Sequence, residues 1–218
     1  MKTYRALSAL LSYPEPALVG ALPEISTALD EEELLPRAAR RAVAELVAEL
    51  AGADLYDLQE RYVSLFDRGR ALSLHLFEHV HGESRDRGQA LVDLANRYRE
   101  RGYRIAGNEL PDYLPLFLEY LSLLPCREAK DQLAETAHIV RAIGDGLVRR
   151  GSRYAAVPAA LLALAGEPGL TQKIAAPPGA EDSAEALDRA WADEPVTFGG
   201  GCAAPGTRPV RFYRARTA

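Results

Sequence analysis

A chain of 218 residues with 48% apolar and 26% charged side chains has the material for one buried core, which excludes a disordered polypeptide. Its net charge of −5 argues against a general nucleic-acid binder, which needs a basic face. No stretch approaches the ~20 apolar residues of a membrane helix, and the opening MKTYRALSALLSYPEP has no small-residue cleavage site after its apolar run, so a cytoplasmic chain is expected.

Leu7, Leu10 and Leu11 predict a first short helix, closed by Pro14 and Pro16. Pro36 stands where a first-turn proline would. Val43, Leu46, Val47 and Leu50 then recur at i, i+3, i+4 and i+7, the stripe of a helix half-buried against its neighbours. Gly52 ends that helix, and Asp54 can cap the next, whose apolar face is Leu55, Leu58, Tyr62, Leu65 and Phe66. Ser84 is placed to cap a helix through Leu91, Leu94, Ala95 and Tyr98 that stops at Gly102. Pro111 precedes the strongly apolar YLPLFLEYLSLL, which ends at Pro125. Residues 127–150 predict the longest regular helix, with Leu133, Ala137, Val140, Gly144 and Leu147 on one side, and Tyr154 to Ala165 a last core helix.

From Gly166 onward prolines and glycines accumulate (PPG at 177–179, GGG at 199–201). The chain is therefore expected to divide into a helical domain, 1–166, and a mobile tail, 167–218, with a short docking helix around 183–192. No β-branched alternation rises to a sheet. The predicted class is all-α, a single globular helical bundle.

Charge is unevenly spread. Residues 1–60 carry 11 acids against 5 bases, whereas 61–108 carry 9 arginines against 6 acids. The densest polar chemistry is LSLHLFEHVHGESRDRGQALVD, Leu72–Asp93, which holds three of the four histidines. Within it, His75, Glu78 and His79 spell H-x-x-E-H, the order of inverted zinc peptidases; on one helix the two imidazoles would lie a turn apart, with Glu78 as general base. Nothing downstream supplies a third ligand. The plainer reading has one ring capping a backbone carbonyl, another half exposed, and Phe77 filling the core. On that reading no metal, no resident cofactor and no catalytic residue is expected.

Glu109 and Asp112 flank Pro111 in the loop before the apolar helix. Asp112 can cap that helix. Alternatively the two acids rim a groove floored by Leu114, Phe117 and Leu118 that suits a basic amphipathic peptide helix. Arg68, Arg70, Arg85 and Arg87 either hold an anion, such as a phosphate or a pterin, or pair with Asp67, Glu83 and Asp86. Cys126 and Cys202 share no metal-ligand spacing and lack the partners of a nucleophile.

The runs ERYVSLFDRGRALSLHLFEHVHGESRDRGQALVDL (60–94) and ELPDYLPLFLEYLSLLP (109–125) closely resemble the molybdenum-cofactor assembly chaperones of respiratory nitrate reductases, the delta-subunit or NarJ-type family within the TorD-like superfamily. The resemblance implies an all-helical, non-enzymatic, cytoplasmic protein. It would bind the N-terminal segment of the reductase catalytic (alpha) subunit, keep the apo-enzyme competent for cofactor insertion, and delay membrane anchoring without joining the finished enzyme. Molybdenum cofactor biosynthesis proteins are implied as further partners, and a monomer as the default state.

The wider superfamily recognises twin-arginine leaders and carries E-P-x-D-H in the loop before the apolar helix. Glu109 and Asp112 match; Leu110 stands at the proline position, Pro111 follows it, and Tyr113 replaces the histidine, in the manner of the nitrate reductase branch. The residues expected at the peptide site are Glu109, Asp112, Tyr113, Leu114 and Phe117 with Tyr62 and Phe66, and His75, Glu78 and His79 shape it. Asp112→Ala is expected to weaken peptide binding without unfolding the protein. A chaperone for another molybdoenzyme and a zinc hydrolase remain as alternatives.

Overall fold

Ten α-helices and two single 3₁₀ turns make up the computed structural model, which describes residues 1–81 and 85–171. The expected all-α bundle is what the chain forms. Among the described residues the only extended pairing is an isolated antiparallel bridge between His75 and Tyr113. The proposed cap Ser84, the docking helix at 183–192 and Cys202 lie outside the described residues.

Helix α1 (Lys2–Leu10) is the spine of the N-terminal half, with Leu7 and Leu10 fully buried. It packs on α2 (Pro16–Glu32) and α7 (Leu114–Leu123). Its N-terminus is capped from far along the chain, because the Glu32 carboxylate accepts the Lys2 and Thr3 N–H groups at 2.9 and 2.6 Å. The Ser8 hydroxyl donates to the Pro115 carbonyl at 2.7 Å inside the core, fixing α1 against the first turn of α7.

Helix α2 is absent from the elements read off the pattern. Two prolines obscure it, yet Pro16 sits in its first turn and Leu22, Ile25 and Leu29 give it a buried stripe. Helix α3 (Arg37–Gly52) buries the predicted Val43, Leu46, Val47 and Leu50. Helix α4 (Leu55–Phe66) begins at Asp54, whose side chain accepts the Tyr56 N–H at 2.8 Å, as expected of a cap.

A 3₁₀ turn at Arg70–Leu72 leads to the six-residue α5 (Leu76–His81) and then α6 (Arg85–Glu100). The long helix expected over 127–150 is two helices, α8 (Cys126–Glu135) and α9 (Ala137–Arg149). The break falls at Thr136, whose hydroxyl donates to the Leu133 carbonyl at 2.9 Å and so competes with the helical ladder. The final helix, α10 (Ala156–Ala165), is apolar all round and packs on α9, α3 and α8.

After α10 the chain reverses at Gly166, φ 78°. It then runs back along α9. Arg141 donates to the Pro168 and Gly169 carbonyls, Leu170 lies against Gly144, and Thr171 bonds Asp145 through its backbone N–H (2.8 Å) and its hydroxyl.

Candidate functional site

Two loops are stitched together beside α4. The Leu76 N–H donates to the Asp112 carbonyl at 3.0 Å, and the Leu114 N–H to the Leu74 carbonyl at 2.8 Å. Through these bonds the entry to α5 and the entry to α7 are held as one rigid corner. The Tyr98 hydroxyl, donating to the Pro111 carbonyl at 2.9 Å, braces it from α6.

Asp112 is the centre of that corner, not the rim of a groove. Its side chain is fully buried; one oxygen accepts the Phe77 N–H at 3.0 Å and the other lies 3.2 Å from His75 Nδ1. Nor does it cap α7, whose N-terminus has no side-chain hydrogen bond. It closes the first turn of α5 instead. The reason is chain direction: the bridge between His75 and Tyr113 turns the Asp112 side chain towards α5.

His75 stands just before α5 rather than within it. Its ring lies 5.4 Å from that of Tyr113, and the Asp112 carboxylate as acceptor raises its pKa above the ordinary value, against the opposing effect of burial. His79 Nε2 lies 2.8 Å from the Ser73 carbonyl, the carbonyl-capping role expected of one ring. Glu78 pairs with Arg87 at 3.0 Å. The three H-x-x-E-H side chains thus serve three separate partners. Among the described residues no group of three or more His, Cys, Asp or Glu could hold a metal ion.

The groove floor also needs correction. Leu114 and Leu118 are fully buried and Phe117 nearly so, because the apolar face of α7 packs against α1 and α8. Phe117 reaches only the wall of a recess of about 300 Å³ shared with Leu76, Phe77 and Leu94. Glu109 is exposed on the loop, and burial, with the nearby charges of Glu109 and Asp67, leaves the Tyr113 hydroxyl above its ordinary pKa against the lowering effect of the Tyr62 contact.

An aromatic row runs beside the corner, buried at Tyr62 and Phe66 and reaching solvent at Tyr13 and half-buried Tyr113. Tyr13, 43% exposed, meets Tyr62 edge-on at 5.5 Å, and Tyr62 packs on Phe66 at 4.9 Å. The Tyr62 hydroxyl donates to the Leu11 carbonyl at 2.8 Å and lies 3.1 Å from that of Tyr113. The row borders a cavity of about 320 Å³ walled by Phe66, His75, Glu78 and Arg87 and by Asp67, Gly69, Arg70 and Ser73.

Of the ten residues expected at a peptide site, Phe66, His75 and Glu78 line this cavity and Tyr62 and Tyr113 adjoin it. Leu114 and Phe117 lie in the core. The pattern gave no signal for Tyr13, Gly69 or Ser73, which reach the site only because the α1–α2 loop and the 3₁₀ turn converge on α4. Arg87 pairs with an acid as expected, but with Glu78 rather than with its neighbour Asp86.

The family model described as nitrate reductase delta subunit matches residues 32–157. The chain is 44% identical over 195 residues to the nitrate reductase molybdenum cofactor assembly chaperone NarJ of Escherichia coli (strain K12), covering 88% of this chain and 83% of that protein. It is 39% identical over 202 residues to the probable chaperone NarW of the same strain, covering 91% and 84%. A probable NarJ of Bacillus subtilis (strain 168) is 31% identical over 172 residues, covering 79% and 92%.

Proposed function

Because the chain belongs to the nitrate reductase delta subunit family, whose members are assembly chaperones and not enzymes, we propose that it escorts the catalytic subunit of a respiratory nitrate reductase during assembly. In this reading it holds the N-terminal segment of that subunit, keeps the apo-enzyme open to molybdenum cofactor insertion, and delays membrane anchoring until insertion is complete. It leaves once the enzyme is finished.

The observation that carries the proposal is exposed Tyr13 and half-buried Tyr113 on either side of the buried Tyr62, beside a cavity with Phe66 in its wall and exposed Asp67 and Glu109 nearby. Aromatic rings give a peptide helix apolar area to bury, and the two carboxylates favour arginine or lysine on its other face. The rigid corner built on Asp112 keeps this surface formed before the peptide arrives, so little ordering cost falls on the chaperone. Among the described residues no helix is long and apolar enough to cross a membrane.

Isothermal titration with a synthetic peptide of the catalytic subunit's N-terminus, at low and high salt, tests the reading. Binding that weakens with salt and is lost in Tyr113→Ala is expected. Binding of a twin-arginine leader in its place would move the client to another molybdoenzyme.

A further inference from the structure

A recess of about 280 Å³ opens between the end of α6 and α7, lined by Tyr98, Tyr103, Tyr120, Leu116 and Leu123. Its rings pack on one another, Tyr98 against Tyr120 at 4.5 Å and Tyr103 edge-on to Tyr120 at 5.8 Å. The Tyr120 hydroxyl is buried and has no hydrogen-bond partner among the described residues. Leu123 is 54% exposed. The segment RYRERGYR, 97–104, passes this recess with four exposed arginines against Glu100; Arg104 lines it, as does exposed Glu119. Arg101 pairs with Glu128, whereas Arg97, Arg99 and Arg104 have no ion-pair partner among the described residues.

The complement of this recess stands at the other end of the molecule. Tyr56, in the first turn of α4, is 79% exposed. Asp57 follows it and Glu60 lies one turn on along the same face, both exposed and without an ion-pair partner among the described residues. Helix α1 keeps the two features apart. It runs antiparallel to α7, because the Met1 amine donates to the Ser122 carbonyl and the Ser8 hydroxyl to the Pro115 carbonyl, so Leu123 lies at the Met1 end. Tyr62 and Gln59 donate to the Leu11 and Pro14 carbonyls just past the opposite end, at 2.8 and 2.9 Å, and Tyr56 is a further turn out. One molecule cannot seat its own Tyr56 in its own recess; a second copy can.

We propose that the chain self-associates head to tail, Tyr56 of one copy entering the tyrosine recess of the next while Asp57 and Glu60 meet Arg99 and Arg104. Burial of the ring supplies affinity, and the exposed charge pairs, individually weak, set the orientation. Charge complementarity selects this occupant: an arginine-bordered recess disfavours a basic peptide and suits an acid-flanked aromatic. The contact is heterologous, so a pair of copies leaves one recess and one Tyr56 free.

Sedimentation equilibrium of the full-length protein without client, over a wide concentration range, tests the proposal. The weight-average mass is expected to rise with concentration, and to rise less in high salt. Tyr56→Ala, at an exposed position that spares the fold, should weaken association at least about tenfold. Arg99→Glu/Arg104→Glu should do the same, with helical content unchanged by circular dichroism. Each variant keeps the half that the other lacks, so an equimolar mixture of the two is expected to associate again and to stop at the dimer. A wild-type protein that stays monomeric throughout overturns the proposal. So does association indifferent to Tyr56→Ala, or a mixture of variants that remains monomeric. The contact uses neither Tyr13 nor Tyr113, so the client-peptide titration is a separate readout and the chaperone reading stands or falls independently.

Discussion

The carboxylate of Asp112, fully withdrawn from solvent, lies 3.2 Å from Nδ1 of His75, a residue 37 positions earlier that keeps just over a quarter of its side chain exposed. That one contact, with the Phe77 N–H on the other carboxylate oxygen, joins the α5 and α7 entries. It also revises the expectation that Asp112→Ala would spare the fold.

Removing the carboxylate leaves a buried backbone N–H without its acceptor and an imidazole without its counter-charge. Asp112→Ala is expected to destabilise the protein by about 2–4 kcal/mol. Asp112→Asn, which keeps one acceptor, should cost less. Urea unfolding of both variants checks this, and an alanine variant as stable as wild type would remove Asp112 from the centre of the corner.

The same pair sets a pH dependence. The Asp112 hydrogen bond raises the His75 pKa in the folded state above its ordinary 6.5, so folding favours the protonated ring. The stabilisation is therefore complete below the ordinary histidine range and is lost as pH rises through the raised folded value. Wild type minus His75→Gln stability, from urea midpoints across a pH series, should shrink from mildly acidic to alkaline pH. A difference that stays flat would show that the contact is indifferent to the charge.

Tyr62 and Tyr113 share a 3.1 Å hydroxyl contact but differ in what else they hold. The Tyr62 proton goes to the Leu11 carbonyl, so Tyr113 donates to Tyr62. Tyr62→Phe should cost about 1 kcal/mol of stability, whereas Tyr113→Phe should be nearly silent in unfolding. Thermal melts of the two variants separate these roles.

Gly144 is where the chain after α10 closes over α9. A Cβ there would stand 2.9 Å from Pro158 Cβ and closer still to Leu170. The Leu170 side chain can swing away, but the proline ring cannot. Gly144→Ala should destabilise the α9–α10 contact by about 1–3 kcal/mol and speed hydrogen exchange at the Thr171 N–H. An unchanged melting temperature would indicate that α9 and α10 can part without cost.

The sequence by itself determined the class and most of the helices. Val43, Leu46, Val47 and Leu50, the Asp54 cap and the Gly102 stop are local features, and helical periodicity and capping are local physics. It also contained the family resemblance, because long ungapped runs such as 60–94 carry far more specificity than a five-residue motif. It did not yield α2, where Pro16 and Pro23 mask a buried stripe, nor the break at Thr136, where a hydroxyl overrides apolar spacing.

Only the tertiary structure decided the site. Which way Asp112 turns, whether His75 and His79 share a partner, and whether Phe117 faces water or core all depend on the pairing of residues 73–76 with 111–114. Spacing along one helix cannot report such a contact, because the partner lies nearly forty residues away. The acids and histidines were visible as candidates from their chemistry alone. Burial then made Asp112 a strut and Leu114 core, and it left Tyr13 and part of Tyr113 at the surface beside a buried Tyr62.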